Sequence, residues 1–294
     1  MKNGFKAMVA LSATLAGACA KAHVLWINVV PNADEHVLLS VAYGDFLPGS
    51  EILSTEWGAM TLDSYDLVAP DGARSSLRPP AIVAHPKQTL PSQVSVQAGG
   101  DVGVRKITFS SSSTQGTYQV AGQTPVYQYT HYRDQAGNEH YTDQPIKKVK
   151  DVAEVIDRSF EIMFMKSTFD VGGWTEPQPL GQLFEIVPLS DLSALRVGDT
   201  VRFKVLFDGR AWNPQRGSPQ ITAQSMNLGN RWGLYSPLAF GEGEFRVLHA
   251  GLWKINARFN APVGTDERYK KLAPGAAADD PIYFETTFVM NVAP

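Results

Sequence analysis

A chain of 294 residues is long enough for two domains of about 150 residues each, and an apolar content of 44% allows a sizeable core. Twenty-five glycines and 19 prolines against only 19% charged residues favour a turn-rich β protein over a helical one. The formal charge of −3 comes without any basic stripe, so nucleic acid is not an expected partner.

Residues 1–22 read as a secretory signal peptide. Lys2 and Lys6 supply a positive start, Ala7 to Ala18 a small apolar stretch, and Ala20-Lys21-Ala22 a small-residue cleavage site, leaving His23 as the first mature residue. The apolar stretch is shorter than the roughly 20 residues of a membrane-spanning helix, so no span is expected after cleavage. Cys19 raises lipidation as an alternative to removal, but Leu15 sits one place too early for a lipid-attachment box. Cleavage removes the only cysteine and three lysines, leaving 23 basic and 29 acidic residues and a formal charge of −6. A periplasmic or secreted protein of this kind has no disulfide and no thiolate ligand, and relies on core burial for stability.

Along the mature chain, Val24 to Val30 is an apolar run ending at Pro31 and reads as a buried strand. His36 to Tyr43 follows as a second, closed by Gly44-Asp45-Phe46-Leu47-Pro48-Gly49. Asp63 to Ala69 leads into the turn Pro70-Asp71-Gly72, and the Pro-rich stretch Leu77 to Gln93 reads as an extended surface loop. Val104 to Phe109 and Gly116 to Ala121 are short strands. Tyr127 to Tyr141 is a hairpin over Asp134 to Asn138. From Lys150 to Lys166 the β pattern breaks. Val152, Val155, Ile156, Phe160, Met163 and Phe164 recur at helical spacing behind a capping-box-like Asp151 and Glu154, which predicts one short helix near 151–165.

The clearest strand pair comes next. Phe184 to Val187 stops at Pro188, and Val201, Phe203, Val205 and Phe207 alternate with more polar residues, which marks a half-buried strand closed by Asp208-Gly209. Gln220 to Ser225, Phe245 to His249, Leu252 to Phe259 and Tyr283 to Val292 are further strands, and Pro262 to Pro281 reads as a long exposed loop. A strand ending in Asp-Gly followed by a Gly-x-aromatic strand start occurs at 67–72 with 116–120, and again at 205–209 with 251–255. The predicted fold is mainly β: two immunoglobulin-like β-sandwich domains with one short helix between them, over residues 23–178 and 179–294.

Catalytic motifs are absent. There is no G-x-S-x-G elbow, no phosphate loop and no H-E-x-x-H, and Glu51 with Glu56 or Asp63 with Asp66 read as solvated strand edges and turns, so a non-enzymatic protein is expected. His23 is the most informative residue. As a mature N-terminus it would offer an α-amine with a reference pKa of about 7.7–8.0 and an imidazole of about 6.5 to the same ion, a chelate of a divalent transition metal that needs no further folding. The blander reading is that an ordinary strand begins there. His131 and His140 flank one hairpin turn. A three-residue loop with Gly137 left-handed pairs His131 with Tyr141 and Tyr132 with His140, and turns the two imidazoles to opposite faces. A two-residue loop would set them side by side, but gives Gly137 no role. His85 and His249 read as loop and strand-end residues. Tyr127, Tyr129, Tyr132 and Tyr141, with Trp57, Trp174 and Trp232, could stack sugar rings or simply pair across strands.

The stretch Leu183-Phe184-Glu185-Ile186-Val187-Pro188-Leu189, then Leu195 to Thr200, then Val205 to Gly209, resembles the domain-of-unknown-function 4198 family, exported bacterial proteins described as periplasmic components of nickel or cobalt uptake. Ala22-His23-Val24-Leu25-Trp26 is similar to the family's mature start, Gly44-Asp45-Phe46-Leu47-Pro48 to its Gly-His-x-Phe-Pro segment, and Gly251-Leu252-Trp253 and Thr287-Phe288 also fit. The resemblance implies a role for His23 in binding metal. Asp45 and Gln182 stand where the family often has His; Asp can still ligate a divalent ion, and Gln is the poorer replacement. The expectation is an exported protein that binds Ni²⁺ or Co²⁺, with Cu²⁺ or Zn²⁺ also suited to the N/O donors, for an inner-membrane metal transporter. His23 is the lead ligand, and Asp45, His131 and His140 are the candidates to complete the sphere. The alternative is a structural or carbohydrate-binding sandwich of the cell envelope.

Overall fold

Alternating or short unbroken apolar runs set strands along nearly the whole chain. The computed structural model describes residues 23–33, 35–45, 47, 60–82, 88–96, 100–213, 221–228 and 233–293. Residues 1–22, expected as a signal peptide, and Glu51, Glu56, Trp57, His85 and Trp232 lie outside them. In the first half the strands are β1 (Val24–Ala33), β2 (His36–Gly44), β3 (Met60–Thr61), β4 (Ser64–Val68), β5 (Arg74–Ser76), β6 (Ala81–Ile82), β7 (Gln88–Thr89), β8 (Ser95–Val96), β9 (Arg105–Thr108), β10 (Gly116–Gln123), β11 (Tyr127–Asp134), β12 (Glu139–Thr142) and β13 (Val152–Val171). The second half adds β14 (Phe184–Pro188), β15 (Thr200–Phe207), β16 (Arg210–Ala211), β17 (Ile221–Ser225), β18 (Leu234–Ser236), β19 (Glu242–Arg246), β20 (Gly251–Pro262), a short helix α1 (Glu267–Leu272) and β21 (Pro281–Val292).

One large sheet carries strands of both halves in the order β18-β17-β20-β21-β13-β10-β4-β5, with β11 and β12 attached through β13. Its two halves meet where β13 pairs in parallel with β21, from Phe160 opposite Ile282 to Ser167 opposite Val289. Each face is covered by a smaller sheet, giving a sandwich on either side. Phe160, Ile162 and Phe164 of β13 pack with Phe184, Phe203 and Val205 under the sheet β14-β15-β16, to which β19 adds beside β15. Met163, Met165, Phe169 and Val171 point the other way, into a core with Leu25, Ile27, Leu39 and Val41 of the sheet β1-β2-β9.

That double coverage corrects the predicted helix. Residues 152–171 are a 20-residue strand, and from Phe160 to Ser167 every side chain is buried. A strand buried on both faces loses its period of two, and its continuous apolar run matches helical spacing by accident. The α-helix lies instead at Glu267–Leu272, inside the segment expected as a loop. Asp266 caps it by accepting from the Arg268 N–H at 2.9 Å, and Tyr269 anchors it against Phe284.

The strand pair at 184–207 forms as expected, with Ile186 opposite Val205, and Val201, Phe203 and Val205 fully buried. Asp208 and Gly209 both take positive φ, 51° and 69°, as a two-residue primed turn requires. The echo between the halves does not extend to pairing: β4 pairs with β10, whereas β15 and β20 lie in different sheets. Among the described residues no helix is long and apolar enough to cross a membrane.

Candidate functional site

β1 is apolar on both sides, because one set of its side chains enters the core beneath β2 while Trp26 turns towards β20 and β21. Its pairing with β2 sets Val24 opposite Gly44, which places His23 and Asp45 at the same end of the pair. Gly44 turns the chain there with φ of 135°, a value only glycine adopts without strain. The His23 Nε2 and Asp45 Oδ2 atoms lie 4.0 Å apart, and the two side chains are 24% and 19% exposed, so they remain reachable from solvent. Tyr43 closes one side, its ring edge-on to the imidazole at 5.4 Å between centroids.

Beside this end of β1 the large sheet presents an unusual polar strip. In β20, Trp253, Ile255 and Ala257 enter the core, and Lys254, Asn256 and Arg258 occupy the opposite face. Such alternation predicts a solvated face, but β1 lies over part of it. Lys254 is 2% exposed, with its ammonium 4.2 Å from the centre of the Trp26 ring, and it donates to the Asp45 backbone carbonyl at 2.9 Å. Burial lowers the Lys254 pKa to about 8, against the opposing pull of Glu285 and Asp45. On β21, Glu285 accepts from Asn256 Nδ2 at 2.8 Å, and on β13, Glu161 shares the same face. Burial pushes Glu161 up to about 8 and Glu285 to about 7; the like charge of Glu285 adds to the rise at Glu161 and that of Asp45 to the rise at Glu285, and Arg258 partly opposes both. Glu161 Oε1 and Glu285 Oε2 find no hydrogen-bond partner among the described residues.

The other sequence candidates fall elsewhere. The hairpin takes the register expected for a left-handed Gly137, whose φ is 88°: His131 sits opposite Tyr141 and Tyr132 opposite His140. The two imidazoles therefore point to opposite faces, and each is engaged separately. His131 Nδ1 lies 3.2 Å from Asp157 and its ring stacks on Tyr141 at 4.2 Å, while His140 Nε2 lies 2.8 Å from Asp134. Gln182 donates to the Gly122 carbonyl at 2.9 Å, a structural contact across the large sheet. Tyr127 is tied to Thr61 of β3 through its hydroxyl, while Tyr132 and Tyr141 stack across the hairpin on His140 and His131. Asp66 does not lie in a turn: it sits within β4, paired on both sides, and its half-buried carboxylate meets Arg74 of β5 at 3.3 Å.

Of the four candidate ligands, the fold brings His23 and Asp45 together. Two donors bound to one transition-metal ion at about 2.0–2.2 Å each can be no more than about 4.4 Å apart, and the 4.0 Å gap falls inside that reach. Among the described residues no group of three His, Cys, Asp or Glu converges on a point that could hold an ion. Lys254, Glu161 and Glu285 escape sequence reasoning because a period-two polar residue looks the same whether water or another strand covers it.

A family model described as a domain of unknown function (DUF4198) matches residues 20–261. No curated protein matches the chain.

Proposed function

For a chain that belongs to the DUF4198 family, we propose an exported, non-enzymatic role: the protein binds a divalent transition metal at the His23 end of β1 and carries it, as cargo, to an envelope transporter. The observation that carries this reading is the juxtaposition of His23 and Asp45, 4.0 Å apart at the start of the first strand, directly behind the residues Ala20-Lys21-Ala22. Two side chains alone make an open site. Cleavage after Ala22 in the periplasm would free the His23 amine as the third donor, so the site would come into being with export. The donor set is amine, imidazole and carboxylate, which suits Ni²⁺ or Co²⁺. The general affinity order places Cu²⁺ tightest in vitro, with Zn²⁺ also accommodated.

The test is calorimetric titration and elemental analysis of protein processed to a native His23 terminus. Nickel and copper should bind one per chain; His23→Ala should abolish binding, and Asp45→Ala should weaken it by about tenfold or more. Adding a single alanine ahead of His23 should also weaken binding, because it converts the amine to an amide. Unchanged affinity in His23→Ala would overturn the reading.

A further inference from the structure

The two proposed ligands lie just ahead of β1 and just after β2, where the pairing of Val24 with Gly44 brings the two ends together. A second tie between them comes from the other half of the chain. Lys254 lies 209 residues from Asp45 in sequence, and its Nζ donates to the Asp45 carbonyl at 2.9 Å. The same ammonium sits 4.2 Å above the ring of Trp26, three residues along β1 from His23. Trp26 is itself fully buried and oriented by its Nε1–H, which donates to Asn28 Oδ1 at 3.0 Å. One side chain therefore grips both arms of the site, the strand that carries His23 and the turn that carries Asp45. The buried ammonium is costly unless it is satisfied, so its hydrogen bond and ring contact fix the separation of the two arms.

We infer that Lys254 is a positioning residue for the His23–Asp45 site, holding the Asp45 corner against β1 from the second half of the molecule. This rests on the metal reading above for its purpose, and on the contacts of Lys254 for its geometry. It makes the affinity of an N-terminal site depend on a residue of β20.

Lys254→Met, which keeps the stem and removes the donor, tests it. In protein processed to His23, nickel and copper affinity should fall about tenfold, with Lys254→Arg retaining most of it. In an Asp45→Ala background Lys254→Met should cost no further affinity, since the arm it positions no longer bears a ligand. The copper absorption band of Lys254→Met should move towards that of Asp45→Ala. Hydrogen exchange on the metal-free protein provides a separate readout: the amides around 43–47 should exchange faster in Lys254→Met than in wild type. Should Lys254→Met not fold, Lys254→Gln is read in the same two backgrounds. Absence of metal binding by wild type overturns the metal reading, while faster exchange would still uphold the positioning contact. Wild-type binding with unchanged affinity and unchanged exchange in the Lys254 variants overturns the role of Lys254 alone.

Discussion

Glu161 and Glu285 are acids that the fold prefers to keep protonated. Their usual pKa of 4.5 rises to about 8 and about 7, because burial penalises both charges, with the like charge of Glu285 adding at Glu161 and that of Asp45 at Glu285. With folded values above unfolded ones, the folded state holds more protons between pH 4.5 and 8. The pair's contribution to stability is therefore fully present below about pH 4.5 and is lost as pH rises through 7 to 8. Replacing Glu285 by Gln removes a titrating carboxyl and keeps an acceptor for Asn256. Chemical denaturation between pH 5 and 9 should show Glu285→Gln with a flatter profile than wild type, and more stable by roughly 1–3 kcal/mol at the alkaline end. A profile parallel to wild type would mean that Glu285 is already ionised at neutral pH.

At the scale of elements, the join between the two halves is held by an ion pair with no access to water. Lys166 on β13 and Glu185 on β14 meet at 2.7 Å, each side chain 1% exposed. Glu185 also accepts from the Leu180 and Gly181 N–H groups at 2.8 and 3.1 Å, which folds the connecting segment back onto the sheet. Lys166→Met would strand the carboxylate in an apolar setting and should cost about 3–5 kcal/mol in urea unfolding. Adding Glu185→Gln should recover part of that, since Gln carries no charge and keeps an acceptor for one of the two amides. The same region shows how far the sequence is legible. The pair β14–β15 can be read directly, because one side of β15 faces water and its alternation survives. β13 cannot, since Phe160 to Ser167 are buried on both faces, one against β14 and β15 and the other against β1 and β2, and β1 lies more than a hundred residues away. At the site, His23 and the left-handed Gly137 follow from local chemistry. The hidden charges on β20, β13 and β21 depend on what β1 covers, which is a tertiary fact.

On the scale of the whole molecule, the parallel seam makes the two halves share their cores. One face of β13 contributes Phe160, Ile162 and Phe164 to the core of the second half. A fragment of residues 23–178 would expose these, along with the β13 edge that β21 covers. Expressed alone, it should lack a cooperative thermal transition and should bind a hydrophobic dye, whereas the full chain should unfold in one transition by circular dichroism and fluorescence alike. A sharply folding fragment would show that the seam is dispensable.

The place of β21 in the large sheet bears on how the chain comes to be folded. It lies between β20 and β13, near the middle of the sheet, yet among the described strands it is made after all the others. Contacts so distant along the chain close slowly, and until residues 281–292 have been synthesised the two sets of strands have no common seam. A nascent chain in that condition stays open, and its two sets of strands can join only once β21 has been made.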